Sequence, residues 1–181
     1  MWKLGIEVLD PRDAKIWGRC ALLCNQASID SSWTHSIEIL REKLGDSLSL
    51  LFCPQHGLSG DVQDNMIETP HSYHQSTGLP IFSLYSETRE PSFEVLKDID
   101  TIVVDIQIVG CRVYTFKATI RACLKVAKDQ GKKVVVLDRP NPLGGVKVEG
   151  PVLQPSMRSF VGPMEMPLRH GLTVGEVARL C

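Results

Sequence analysis

The run Thr101-Ile102-Val103-Val104-Asp105-Ile106 constrains this chain most: a continuous apolar strand broken only by one aspartate. A strand without polar alternation is buried on both faces, which marks a parallel sheet covered by helices. The pattern recurs at Arg19 to Cys24, Leu48 to Phe52, Ile81 to Leu84 and Lys133 to Leu137. Helical stretches lie between these runs. Ser32 is placed to cap a helix with Trp33, Ile37, Leu40 and Leu44 on one face and Gly45 as its stop. Pro91 and Ser92 open a short helix through Leu96. A longer one runs from about Arg112 to Gln130, with Val113, Phe116, Ile120, Leu124 and Ala127 inward and Gly131 as its stop. The expected fold is α/β: a Rossmann-like three-layer sandwich around a mostly parallel sheet of five or more strands.

Right-handed crossovers bring the carboxyl ends of such strands to one edge, where open sheets bind ligands. Polar residues gather at those ends: Asn25-Gln26, Gln55-His56, Glu87, Asp105 with Gln107, and Asp138-Arg139 with Asn141. Two long loops, Cys53 to Pro80 and Arg139 to about Leu172, flank that edge and exceed what a connection needs.

Several classes are disfavoured. A net charge of −1 offers no general attraction for nucleic acid or an anionic membrane. No apolar run is long enough to span a bilayer. Met1 to Gly5 lacks the apolar stretch of a secretory signal, which predicts a cytoplasmic chain. The six cysteines form no Cys-x-x-Cys pair, so they read as small apolar residues rather than metal ligands or disulfide partners. The first strand ends in Asn25-Gln26-Ala27-Ser28, without the glycine-rich turn of a dinucleotide or P-loop site.

The motifs carry paired readings. His56, between prolines and glycines in Pro54-Gln55-His56-Gly57, either moves a proton or bonds to its own loop. Glu87 either lines the crevice or favours the start of the next helix. Asp105 leaves a buried strand and needs a partner, for which Arg112 is the expected one. Tyr114 stands near it on the opening helix. In Asp138-Arg139-Pro140-Asn141-Pro142, prolines hold Arg139 and Asn141 in a geometry suited to a carboxylate or sugar hydroxyls. Glu149 adds a carboxylate, and His170 precedes Thr173-Val174-Gly175-Glu176, a capping box that should open a helix. That helix has about two turns and no stop signal before Cys181, which suggests that proteins of this type continue further.

Taken in order, Pro54-Gln55-His56-Gly57, Gly78-Leu79-Pro80, Glu87-Thr88-Arg89, Asp105-Ile106-Gln107, Val109-Gly110, Arg112, Tyr114-Thr115, Leu137 to Pro142, Glu149-Gly150-Pro151 and His170-Gly171 resemble the NamZ/YbbC family of exo-lytic β-N-acetylmuramidases. The resemblance covers nearly the whole chain. It implies a Rossmann-like catalytic domain over residues 1–172, with residues 173–181 beginning a following helix and a smaller auxiliary domain. It implies release of N-acetylmuramic acid from the non-reducing ends of peptidoglycan fragments, in cell-wall turnover and muropeptide recycling, without metal or cofactor. Some family members are exported. Two positions depart from the pattern: Gln55 and Ile108 stand where many members have Glu and Asp.

Glycoside hydrolysis usually needs two carboxyl groups flanking the bond. Glu87 or Glu68 is the expected acid/base, with Asp105 as the negative centre of the site. Gln55, His56, Gln107, Tyr114, Asn141, Glu149 and His170 are expected to place the sugar, and Arg112 or Arg139 to grip its carboxylate. The alternatives are a non-catalytic relative that binds cell-wall sugar, favoured by Gln55 and Ile108, and a nucleotide-binding domain.

Overall fold

A computed structural model describes residues 3–62 and 67–181. Six strands form one sheet in the order β3-β4-β2-β1-β5-β6: β1 (Cys20–Leu23), β2 (Leu48–Cys53), β3 (Ser72–Tyr73), β4 (Pro80–Ser83), β5 (Thr101–Val104) and β6 (Lys133–Val136). All neighbours are parallel except β3, which runs antiparallel to β4 at the edge. The expected sheet is therefore present, with a short sixth strand too small to show as a periodic run.

Side-chain alternation explains the three layers. Ala21, Leu23, Phe52, Ile102 and Val104 point to one face, where α5 (Phe116–Asp129) and α6 (Val174–Leu180) cover them. Cys20, Leu22, Leu51, Cys53 and Val103 point to the other, under α1 (Gly5–Val8), α2 (Pro11–Ala14) and α3 (Ser36–Leu44). The remaining helix, α4 (Phe93–Leu96), carries the chain from β4 to β5 and is capped by Ser92. Side chains such as Leu22 and Leu51 are fully buried, each worth about 1.5–3 kcal/mol of transfer free energy. Cys20, Cys24, Cys53 and Cys123 lie in this packing. Burial pushes the Cys20 and Cys53 thiols up to about 11 and that of Cys123 to about 12, so these three are not thiolates at neutral pH.

Two helix starts differ from expectation. Ser32 does not cap α3; the cap is His35, whose Nδ1 accepts from the Ile37 amide at 3.2 Å. Asp30 Oδ1 accepts from the amides of Ser32 and Thr34, closing a turn that leaves Trp33 82 % exposed at φ +65°. The long helix begins at Phe116, not Arg112, because Gly110 at φ +71° and a turn from Cys111 to Tyr114 come first. Val113 is exposed in that turn rather than inward.

The capping box at Thr173 forms as read: its hydroxyl accepts from the Glu176 amide, and the Glu176 carboxylate accepts from the Thr173 amide. Asp138, just beyond β6, accepts from Thr173 Oγ1 at 3.0 Å and from the Gly175 and Arg139 amides. Val174 and Val177 are buried in the core with α5. No helix among the described residues is long and apolar enough to cross a membrane.

Candidate functional site

After β1 the chain adds β2 and then β4 on one side of it, and β5 returns to pair with β1 on the other. This reversal is where an open α/β sheet forms a crevice at its carboxyl edge. Here the crevice is filled. Asp105 is fully buried one residue past β5, and Arg139 reaches it from beyond β6 with two bonds, Nε–Oδ1 at 2.6 Å and Nη2–Oδ2 at 2.9 Å. Arg139 Nη2 also donates to the Ile29 carbonyl at 2.9 Å, and the Ser28 hydroxyl donates to the Asp105 carbonyl. The expected pairing with Arg112 is corrected: Arg112 Nη1 donates instead to the carbonyls of Pro151 at 2.6 Å and Met166 at 2.8 Å. Arg139 wins because β6 lies directly beside β5. Arg139 is itself 4 % exposed, so gripping a ligand would mean breaking a buried pair.

The end of β4 is the opposite case. Segment 67–73 folds back along β4: the Thr69 amide donates to the Tyr85 carbonyl at 2.8 Å, and Thr69 Oγ1 lies 2.6 Å from Ser83 Oγ. That return brings Glu68 to Arg89, with Nη2–Oε1 at 3.5 Å, and His71 to Glu87, with Nε2–Oε2 at 3.8 Å. The His71 ring stacks on Phe82 at 4.1 Å, and its Nδ1 accepts from the Ser83 amide at 3.0 Å. With Nδ1 accepting, the ring proton sits on Nε2, facing Glu87. Arg89 lies 3.8 Å over the Tyr85 ring and donates to the Ser86 carbonyl. Glu68 and Glu87 are both exposed. The Glu87 backbone first, then Ser86, and more weakly His71, hold the Glu87 carboxyl below the usual carboxylate range, so it is ionised at neutral pH.

Beside this cluster, β2 delivers Gln55 and His56. Gln55 is buried, and its Oε1 accepts from the Thr115 hydroxyl at 3.1 Å. Thr115 is the N-cap of α5 but makes no side-chain cap bond there, so its hydroxyl serves Gln55 instead. His56 sits at φ +75°, uncommon for a residue with a Cβ, and such backbone strain gathers at functional sites. Its Nδ1 bonds the Val62 carbonyl at 2.7 Å, which puts the neutral ring's proton on Nδ1 and leaves Nε2 as the basic nitrogen.

The remaining expected residues are packed into the framework, with the buried Asn141 Nδ2 and His170 Nε2 making no hydrogen bond among the described residues. Gln107 Nε2 donates to the Ile108 and Pro140 carbonyls, tying the turns after β5 and β6 together. Asn141 lies flat on Gly110, where any Cβ would fall 2.2 Å from its Oδ1. His170 Nδ1 accepts from the Leu172 amide; burial first, then Lys117, lowers its pKa. The Tyr114 ring packs edge-on to Phe116, and burial raises its pKa. Glu149 pairs with Arg169 at 2.6 Å.

Of the expected catalytic trio, Glu68 and Glu87 are thus drawn into one exposed cluster, while Asp105 is sealed beneath the edge. The sequence alone assigns no role to His71, Arg89, Tyr85 or Lys117. Arg89 had a signal, two positions after Glu87 at the end of a buried strand. Lys117 had none: it lies among apolar helix positions, 1 % exposed, with Nζ donating to the Tyr114 carbonyl at 2.6 Å and to that of Cys111 at 3.3 Å.

Residues 20–181 match the model of a family described as exo-β-N-acetylmuramidase NamZ, N-terminal. The chain is 43% identical over 162 residues to the peptidoglycan β-N-acetylmuramidase NamZ of Bacillus subtilis (strain 168), a match covering 90% of this chain and 39% of that protein. It is similar to the crystal structure of a DUF1343 family protein from Bacteroides fragilis NCTC 9343, with a TM-score of 0.87 and 41% identity, covering 98% of this chain and 45% of the other. A second DUF1343 crystal structure from that organism gives a TM-score of 0.80 at 31% identity, again over 98% of this chain and 46% of the other. The chain therefore spans less than half the length of these relatives.

Proposed function

The chain belongs to the family of exo-β-N-acetylmuramidase NamZ N-terminal domains, and from that premise we propose that it supplies the carboxylate pair of a glycoside hydrolase acting on peptidoglycan. The reaction is release of N-acetylmuramic acid from the non-reducing end of a glycan fragment. The observation that carries this reading is the exposed cluster at the end of β4, where Arg89 and His71 hold Glu68 and Glu87 on one rim.

The roles follow from the environments. Glu87, held ionised, is the base or nucleophile, kept in place by the Nε2 proton of His71. Glu68, released from Arg89 when the substrate's carboxylate takes that guanidinium, is the proton donor to the leaving oxygen, the second carboxyl that such hydrolysis usually needs. His56 places sugar hydroxyls with its basic nitrogen. Arg89, on the rim and braced by the Tyr85 ring, receives the lactyl carboxylate, since Arg139 is committed to Asp105 and one amino group of Arg112 to two carbonyls. Asp105 and Arg139 form the frame beneath.

The test is release of chromophore from a chromogenic N-acetylmuramic acid glycoside. Glu68→Gln and Glu87→Gln should each lower the rate by about 10²-fold or more, the range for a lost acid or base. Full activity in both variants discards the assignment. A second reading, a sugar-binding relative without turnover, draws on Gln55, which is buried and bonded to Thr115 through a neutral amide. Muropeptide binding by calorimetry with no product would favour it.

A further inference from the structure

Lys117 is the second residue of α5 and is buried, a costly place for an ammonium. A cation in the first turn of a helix also meets the positive end of the backbone dipole. The groups whose charge reaches it are the Cys111 thiol, the Arg112 guanidinium and the His170 ring, none of them a carboxylate. Two carbonyls offset these costs. Nζ donates to that of Tyr114 at 2.6 Å and to that of Cys111 at 3.3 Å, the last and first residues of the turn that precedes the helix.

That turn is held on its other side by the backbone: the Arg112 amide donates to the Leu168 carbonyl at 2.7 Å, and Cys111 pairs with Arg169. Lys117 closes it from within. The Cys111 carbonyl also accepts the Tyr114 amide, at 3.1 Å. The Tyr114 carbonyl belongs to the planar peptide that leads into Thr115, so fixing that oxygen fixes where Thr115 starts. Thr115 Oγ1 then donates to Gln55 Oε1 at 3.1 Å, and Gln55 precedes His56, whose φ of +75° persists only in firm surroundings. A short line of bonds thus runs from a buried ammonium to the loop that carries His56.

We propose that Lys117 is a positioning residue for the candidate site: by clamping the turn from Cys111 to Tyr114 it sets the Thr115 hydroxyl on Gln55, and so the seat of His56. That this site turns over a glycoside rests on the hydrolase reading above; the clamp does not. Burial lowers the Lys117 pKa to about 8, with Cys111 pulling it back up and Arg112 pushing it further down. As pH rises through that value the charge-assisted bonds to the two carbonyls weaken to neutral ones. His170, held below the ordinary histidine value by burial first and then by Lys117, is neutral throughout.

The test is an NMR titration from neutral to alkaline pH of the chain isotope-labelled at lysine Cε and at the glutamine side-chain amides. One lysine signal should titrate near 8 and vanish in Lys117→Met. The Gln55 amide, identified by its loss in Gln55→Ala, should shift with the same midpoint in the unaltered chain and stay flat in Lys117→Met and Thr115→Val. In Lys117→Met the His170 titration should move up, because a like charge is gone. On the chromogenic glycoside, kcat/KM should fall about threefold to tenfold across the same window, the difference between charged and neutral hydrogen bonds. Stability rises over that window as the buried charge is lost, so a merely structural lysine would not give a fall in turnover. Lys117→Arg keeps its charge and should remove the fall. A Gln55 amide indifferent to the Lys117 titration overturns the proposal, and the unaltered chain suffices to show it. A flat kcat/KM through the window, in a chain that turns over, overturns it as well. Coupling of Gln55 to Lys117 in a chain with no turnover supports the clamp and removes only the hydrolytic reading.

Discussion

Two carboxylates at the same sheet edge, Asp105 after β5 and Glu87 after β4, lie in opposite surroundings. Asp105 has no exposed surface and both its oxygens are taken by Arg139. Glu87 is 79% exposed at its side chain, and its neighbour His71 is 3.8 Å away. The edge alone does not make a carboxylate reactive. What separates them is whether the neighbouring strand supplies a cation before a ligand can arrive: β6 does so for Asp105, while β4 has only the short β3 on its outer side.

The contrast is most exposed to test at Asp105. Asp105→Asn leaves the Arg139 charge buried without an opposite, and should cost about 3–5 kcal/mol of unfolding free energy. Urea titration would show this, and a loss below about 1 kcal/mol, the range for exposed pairs, would erase the distinction. Glu87→Gln should be the mirror image, with stability unchanged within about 0.5 kcal/mol while turnover collapses. Denaturation and rate measured on one preparation check both halves.

The next effect is smaller and concerns the anchoring of α6. Asp138→Ala removes two accepted bonds at the start of that helix and a third from the Arg139 amide. It should cost about 1–2 kcal/mol, the upper range for a lost cap, and leave the Glu68–Glu87 rim intact. If turnover falls as steeply as stability, the two regions are coupled and the comparison fails.

Titration sharpens the comparison further. The depressed Glu87 value means its ionised form outlasts an ordinary glutamate as pH falls, and whatever stability it adds is present above the unfolded value and lost only through the lower folded one. The acid limb of kcat/KM should therefore lie below the usual carboxylate range, and Ser86→Ala should move it up. Lys117 runs the other way. Burial lowers it from 10.5 to about 8, so the unfolded chain binds more protons between those values and stability should rise with pH across that window. Thermal unfolding at a series of pH values should show that rise, and Lys117→Met should flatten it.

Much of the scaffold was legible because it is locally encoded. The runs at Cys20, Leu48 and Thr101 are apolar on both sides, and Thr173 and Glu176 carry the capping box in four residues. Trp33 misled because helical spacing cannot see that Asp30 closes a turn and passes the cap to His35. The site was harder still. Sequence proximity favoured Arg112 as the partner of Asp105, whereas strand order brings Arg139 from 34 residues away. Glu68 and Glu87 were both singled out, but their gathering depends on a loop doubling back along β4, which no periodicity records.

Arg139 also bears on how this edge can move. By bonding Asp105 and the Ile29 carbonyl together, it laces the loops that follow β1, β5 and β6 into one block. Segments 57–62 and 67–73, on the far flank, lie outside that block and are held by ties of their own, His56 Nδ1 to the Val62 carbonyl and the Thr69 amide to that of Tyr85.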